Sequence, residues 1–204
     1  MFLLIDSSTD QGLLALIERN EIRRELVLPI GQKNSSGLMP MLERLFLEEK
    51  IRVEDLTFIA VGVGPGSYTG IRVGLVVAKM VSFSAKKPLV GVPSLTAFFP
   101  DADGPFTAVL DARIAGAYAL RGKKERGEIV WEEPFVAPLS TLQMEPLLVT
   151  PHRQLQEKLP GNYYFTPPRA KFMAEAAGAL YNQGSFDVKV LYLRPTQAEL
   201  NYSQ

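Results

Sequence analysis

The sequence predicts a two-lobed α/β protein in which each lobe is a sheet with helices packed on it. Short apolar runs of strand length alternate with longer apolar stretches of helical length, the pattern of a mixed α/β chain. A dense turn signal, PDADGP at residues 100–105, falls near the middle of the 204-residue chain. Beyond that turn the pattern of the N-terminal segment returns. Residues 3–22 and 108–129 each give an apolar strand ending in an aspartate (Asp6, Asp111), a turn, a glycine (Gly12, Gly116), a second apolar strand, a charged turn and a third strand. The lobes are therefore set at residues 1–102 and 103–204, each about 100 residues, a common domain size.

In the first lobe, residues 2–6 (FLLID) read as a buried strand, residues 12–17 as its hairpin partner, and a third strand lies near 24–28. The loop over 29–36 carries Gly31, Asn34, Ser35 and Ser36, several of them able to cap a helix over 37–50. Residues 57–63 (TFIAVGV) are apolar and rich in β-branched side chains, as a central strand requires. GPGSYTG at residues 64–70 then turns the chain into a helix over 69–85. Lys86-Lys87-Pro88 ends it, a strand comes next over 89–92, and Ser94 is placed to cap the next turn. In the second lobe the expected strands are 106–111, 116–121, 128–133 and 146–149, then a helix over 169–182 and a strand over 188–193 (VKVLYL). Pro134, Pro138, Pro146 and the pair Pro167-Pro168 interrupt the chain between them.

Composition narrows the chemistry. Lysine plus arginine total 22 and aspartate plus glutamate total 22, so there is no positive surplus with which to grip a nucleic-acid backbone unaided. The chain has no cysteine, which removes disulfides, thiolate metal sites and cysteine nucleophiles. Its one histidine, His152, stands between Pro151 and Arg153 and reads as a solvated loop residue. Any metal site would then be built almost wholly from oxygen. The apolar run MFLLI is too short for a signal segment or a membrane span, so a cytoplasmic protein without a membrane partner is expected.

GPGSYTG (Gly64, Pro65, Gly66, Ser67, Tyr68, Thr69, Gly70) carries the most specific signal. Its glycines permit close backbone approach, and Ser67 and Thr69 add hydroxyls at a helix start. The loop reads as a structural turn with helix caps, as a partner-contacting loop, or as a phosphate cradle. It departs from the known phosphate loops, because Ile71 stands where a P-loop has lysine and Thr69 where a dinucleotide fingerprint has glycine. Ser67 comes directly after Gly66 and so does not form a nucleophile elbow.

Between residues 70 and 85 only Arg72 and Lys79 are charged, leaving apolar residues on every face of the helix. Gly70, Gly74, Ala78 and Ser82 recur every four residues, a smooth ridge along which another helix can approach. Val73, Val77, Met80 and Val81 are left to cover the sheet. In the helix over 37–50, Leu38, Leu42, Leu45 and Phe46 suffice for a core face, yet Met39, Met41 and Leu47 are apolar too. Either both helices are buried inside one large lobe or they form a helical interface. The interface reading places Leu38, Met39, Met41 and Leu42 of the first helix, with Gly70, Arg72, Gly74, Leu75, Ala78 and Ser82 of the second, against a partner.

LLIDSST near the N-terminus, AVGVGPGSYTGIRVG at residues 60–74, VGVPSL at 90–95 and LDAR at 110–113 together resemble the TsaB (YeaZ) family. The resemblance covers nearly all of the first lobe and the start of the second. It implies the duplicated actin/Hsp70-like ATPase (ribonuclease H-like) fold with a reduced second lobe. It also implies a non-catalytic subunit, without a catalytic residue, cofactor or metal of its own, that dimerises with and activates a TsaD-like enzyme. A TsaE-like ATPase completes the machinery, which uses ATP, at a subunit boundary if this chain touches it. Its product is N6-threonylcarbamoyladenosine at position 37 of tRNAs reading codons that begin with A, the tRNA being met through the complex. The same resemblance implies dimerisation through the helices over 37–50 and 70–85, and a homodimer when the chain is alone.

The sequence departs from that family at Asn34-Ser35, where a His-Ser pair is common, and at Gly116-Ala117-Tyr118, where an acidic residue accompanies the tyrosine. The catalytic relative's paired histidines are missing here. Asp6 reads as a strand-end turn residue or as the metal- and phosphate-organising carboxylate of ATPases with this fold. Asp111 and Arg113 read as a local ion pair. Two other functions stay open: an enzyme of the same fold acting alone, as a glycoprotease-like hydrolase or small-molecule kinase, and a homodimeric structural protein.

Overall fold

The computed structural model describes residues 1–112 and 116–193. Its first sheet is built from β1 (Phe2–Asp6), β2 (Leu13–Glu18), β3 (Glu21–Val27), β4 (Phe58–Gly62) and β5 (Leu89–Val92) in the order β3-β2-β1-β4-β5. The hairpin strands β1, β2 and β3 pair antiparallel, and β4 and β5 join parallel to β1. Helix α1 (Asn34–Glu49) and helix α2 (Tyr68–Ala85) make the crossovers.

Alternation along these strands sends side chains to two covered faces, which is why β1 up to Asp6, most of β2 and all of β4 are apolar. Leu3, Ile5, Leu14, Leu16, Ile59 and Val61 pack under α1 and α2. Phe2, Leu4, Ala15, Ile17, Phe58 and Ala60 point the other way, into a core shared with the second sheet.

The second sheet repeats the plan. Among the described residues it comprises β6 (Gly104–Asp111), β7 (Ala117–Glu125), β8 (Glu128–Trp131), β9 (Phe135–Ala137), β10 (Leu148–Thr150) and β11 (Tyr163–Phe165). Its order β11-β10-β6-β7-β8, with β6, β7 and β8 antiparallel and β10 and β11 parallel to β6, matches the first sheet strand for strand; β9 pairs with β7 outside that order. The crossover helices have shrunk to single turns, α3 (Leu139–Leu142) and α4 (Leu155–Lys158), whose leucines close a small core with Val109, Ala119 and Leu148. The mixed α/β, two-lobed class and the internal repeat are therefore present, with the second lobe reduced.

The chain then crosses back. Helix α5 (Lys171–Asn182) packs Phe172, Met173, Ala174 and Ala177 into the core between the two sheets. Its preceding N–H, that of Ala170, donates to Glu25 Oε2 on β3 at 2.6 Å. The expected strand over 188–193 does not form. Leu191 N–H donates to Val63 O at 2.8 Å, but Tyr192 N–H turns back to Val190 O, so no ladder can propagate. Val188 and Leu191 instead pack as single side chains against the core under α2. Helix α1 begins at Asn34, earlier than expected. Its candidate cap Asn34 holds the neighbouring turn instead, donating from Nδ2 to Thr9 O at 2.6 Å and Ser7 O at 3.2 Å.

Candidate functional site

Three pieces converge at one end of β1: the turn at residues 7–12, the glycine turn at 64–70 and the N-terminus of α2. Gly66 sits at φ +156°, where a Cβ would meet Ser8 O at 2.4 Å, so the two turns approach closely only because this residue has no side chain. Ser67 N–H donates to Ser8 O at 2.7 Å, and Ser7 Oγ donates to Gly70 O at 2.7 Å. Ser67 caps α2, its Oγ accepting the Gly70 N–H at 3.2 Å. Ser67→Ala is expected to cost about 1 kcal/mol, the usual loss for a missing helix cap. A melting curve measures it, and no function is expected to disappear while the fold survives.

Asp6 is buried, and its Oδ1 accepts from Ser8 N at 2.8 Å and Ser8 Oγ at 2.7 Å. Oδ2 has no well-formed hydrogen bond. Burial raises the carboxyl pKa above its ordinary value, outweighing the Ser94 and Ser8 groups that favour the charged form. The stability tied to Asp6 is then complete below the ordinary carboxylate pKa and is lost as pH rises through the higher folded value. Asp6→Asn keeps both Ser8 contacts and removes the buried charge. It is expected to melt above the parent at pH 8, by about 1 kcal/mol. That advantage should shrink toward pH 4, as parallel melts across pH would show. Asp6 is thus a turn-organising residue, shut away from solvent.

Beyond these turns a cleft of about 860 Å³ opens between the sheets. Ser8, Asp10, Asn34 and Tyr68 line one wall, and Asp111 and His152 the other. His152 is not solvated, because its side chain is only 24% exposed and its Nε2 lies 3.7 Å from Asp10 Oδ1. Burial lowers its pKa below the ordinary histidine value, while Asp10 and Asp111 pull it up. Asp111 is paired with Lys158 Nζ at 2.7 Å; its expected partner Arg113 lies outside the described residues. No group of three His, Asp or Glu among the described residues is arranged to hold a metal ion.

A family model described as TsaD, tRNA N6-adenosine threonylcarbamoyltransferase, matches residues 30–179. The chain belongs to the TsaD family. Relatives named "tRNA threonylcarbamoyladenosine biosynthesis protein TsaB" include that of Bacillus subtilis, 31% identical over 57% of this chain and 52% of the relative. The Escherichia coli protein of that name is 27% identical over 64% of this chain and 53% of its own. The chain spans about half the length of the curated relatives it matches. YeaZ from Pseudomonas aeruginosa has the same fold, with a TM-score of 0.76 and 21% identity over 96% of this chain and 99% of its own.

In this TsaD-family chain the expected interface residues separate into two sets. Gly70, Gly74 and Ala78 face inward: a Cβ on Gly70 would meet Ser7 O at 2.1 Å, one on Gly74 would meet Ser7 Oγ at 2.5 Å, and Ala78 is wholly buried. Leu38, Met41 and Leu42 of α1 are buried in the same core, while Leu75 and Ser82 are half-buried. The small-residue ridge is thus the surface by which α2 approaches its own β1 turn. Of the ten residues, Met39 and Arg72 are exposed.

The outward stripe is made of other side chains, among them Met80, which spacing alone assigns to the sheet. Val76, Met80 and Phe83 lie at i, i+4 and i+7 on α2, 56%, 57% and 88% exposed. Met39 and Leu47 of α1 are exposed as well. Where the stripe reaches the glycine turn, the Arg72 guanidinium lies 3.9 Å over the Tyr68 ring and 3.5 Å from Tyr192 Oη. The helix's charges could have revealed the stripe, since Arg72, Val76, Lys79 and Phe83 share a face with both of them.

Proposed function

We propose that this chain is a non-catalytic subunit that docks helix against helix on a TsaD-like chain and thereby activates it. The reaction it serves is formation of N6-threonylcarbamoyladenosine at position 37 of tRNAs reading codons that begin with A. One observation carries this reading: α2 presents Val76, Met80 and Phe83 to solvent as a continuous apolar stripe, which a monomer has no physical reason to keep. Membership of the TsaD family supports a partner of related fold, and Met in such a stripe suits adaptable helix packing.

That docking carries the rest of the reading with it. The complex includes a TsaE-like ATPase, works in the cytoplasm and meets tRNA through its other chains, in keeping with the balance of 22 positive and 22 negative residues. Any ATP this chain touches lies at a subunit boundary. Without its partner the same stripe pairs two copies of the chain. Co-expression with the TsaD-like protein of the same genome tests the reading, the expected result being one complex that co-elutes. Separate elution, or turnover of ATP or peptide by the pure isolated chain, would overturn it in favour of an enzyme acting alone.

A further inference from the structure

We propose that His152 is the bolt of a proton-operated latch between the two lobes, bridging Asp10 of the first lobe to the Asp111 wall of the second when it carries a proton. The geometry is a cross-cleft contact. His152 comes after β10 in the second sheet, and Asp10 sits in the turn after β1 in the first; their nearest atoms, Nε2 and Oδ1, are 3.7 Å apart. That is too long for a hydrogen bond and short enough for strong charge attraction.

The other ring nitrogen supplies the second observation. His152 Nδ1 is buried and has no hydrogen-bond partner. A neutral ring tolerates this by carrying its proton on Nε2, toward Asp10. Protonation adds a donor at Nδ1 that cannot stay unpaired cheaply, so it favours movement of the walls toward each other. The charged groups that line the cleft with the ring have definite places. Asp10 comes from the β1 turn, Lys33 from the loop before α1, and Asp111 from the end of β6 with Lys158 of α4 held against it. Arg153, the neighbour in sequence, is turned away over the Phe165 ring.

Closure would be felt by both long helices. The turn carrying Asp10 is tied to α1 through Asn34 Nδ2 on Thr9 O and to the start of α2 through Ser67 N–H on Ser8 O. Drawing Asp10 toward His152 therefore pulls on the anchors of the two helices through a continuous hydrogen-bonded path.

The test exploits a chain with one histidine and no cysteine. Spin labels on cysteines placed at Ser35 and Gln154, both exposed at the cleft, report the wall-to-wall distance by pulsed EPR, and the single histidine Hε1 signal reports protonation by NMR. As pH falls from 8 to 5, the label separation is expected to shorten with the same midpoint as the Hε1 titration. His152→Gln should abolish the shortening. Asp10→Asn should abolish it too and lower the histidine midpoint, because Asp10 is one of the charges that pull it up. If His152→Gln fails to fold, Asp10→Asn carries the test, because Asp10 is 60% exposed and its loss leaves the packing intact. A separation independent of pH in the parent, or shortening that persists in either variant, overturns the latch.

Discussion

Gly70→Ala is expected to destabilise the fold by about 3 kcal/mol, at the upper end for an overpacked site. For a chain of this length that is a fall in Tm of roughly 6–12 °C. The added methyl would lie 2.1 Å from Ser7 O, and a backbone atom cannot swing aside as a side-chain tip can. The same substitution gains helix propensity, but only about 1 kcal/mol, so the clash decides the sign. The contact also carries the Ser7 Oγ bond to Gly70 O and lies next to the Ser67 N–H bond to Ser8 O. Loss of one therefore loosens the junction between the β1 turn and α2. Urea and thermal unfolding measure the effect, and a parent-like midpoint would mean that α2 can move off β1 at little cost. Gly74→Glu, which an outward small-residue ridge would make a surface change, instead places its new Cβ 2.5 Å from Ser7 Oγ and a carboxylate in a buried seam, so it is expected to destabilise the fold as well.

Met80→Glu combined with Phe83→Glu is expected to leave the melting temperature within the range of surface substitutions, about 0.5 kcal/mol, while weakening docking on the TsaD-like chain at least about a hundredfold. Both side chains are more than half exposed in the protomer, so neither contributes much to its core. Phe83 alone brings about 1.5–3 kcal/mol of hydrophobic gain when a partner covers it. Two carboxylates brought into a dry helical seam add a desolvation penalty. Titration calorimetry against the co-expressed partner gives the affinity, and circular dichroism checks the fold. Undiminished binding by a folded double variant would remove the α2 stripe from the interface, wherever the true contact lies.

Sequence and structure agree where local pattern and packing demand the same thing. FLLID and FIAVG are apolar or nearly so at every position, which only a strand covered on both faces needs, and β1 and β4 lie side by side in the middle of the first sheet. The repeat of hairpin and crossover is legible because the order of apolar runs limits which strands can be neighbours. Residues 188–193 read as a strand by composition, but the chain there offers its backbone one bond to Val63 and no second. His152 reads as solvated because its neighbours in sequence are polar or turn-forming, whereas in space it faces Asp10 of the opposite lobe.

Local pattern was enough for the fold class, the family, and the existence of a long helix too apolar for ordinary duty on one side of a sheet. Which side of that helix is left over was settled by packing in three dimensions. An α-helix with apolar residues all round has no preferred face until something docks on it. Here Ser7 O lies so close to the first turn of α2 that only glycine fits at position 70, and the Ser7 side chain crowds Gly74 one turn on. That contact turns Gly70, Gly74 and Ala78 inward and leaves Val76, Met80 and Phe83 in water, because clearance between backbones outranks hydrophobicity in setting the helix's rotation.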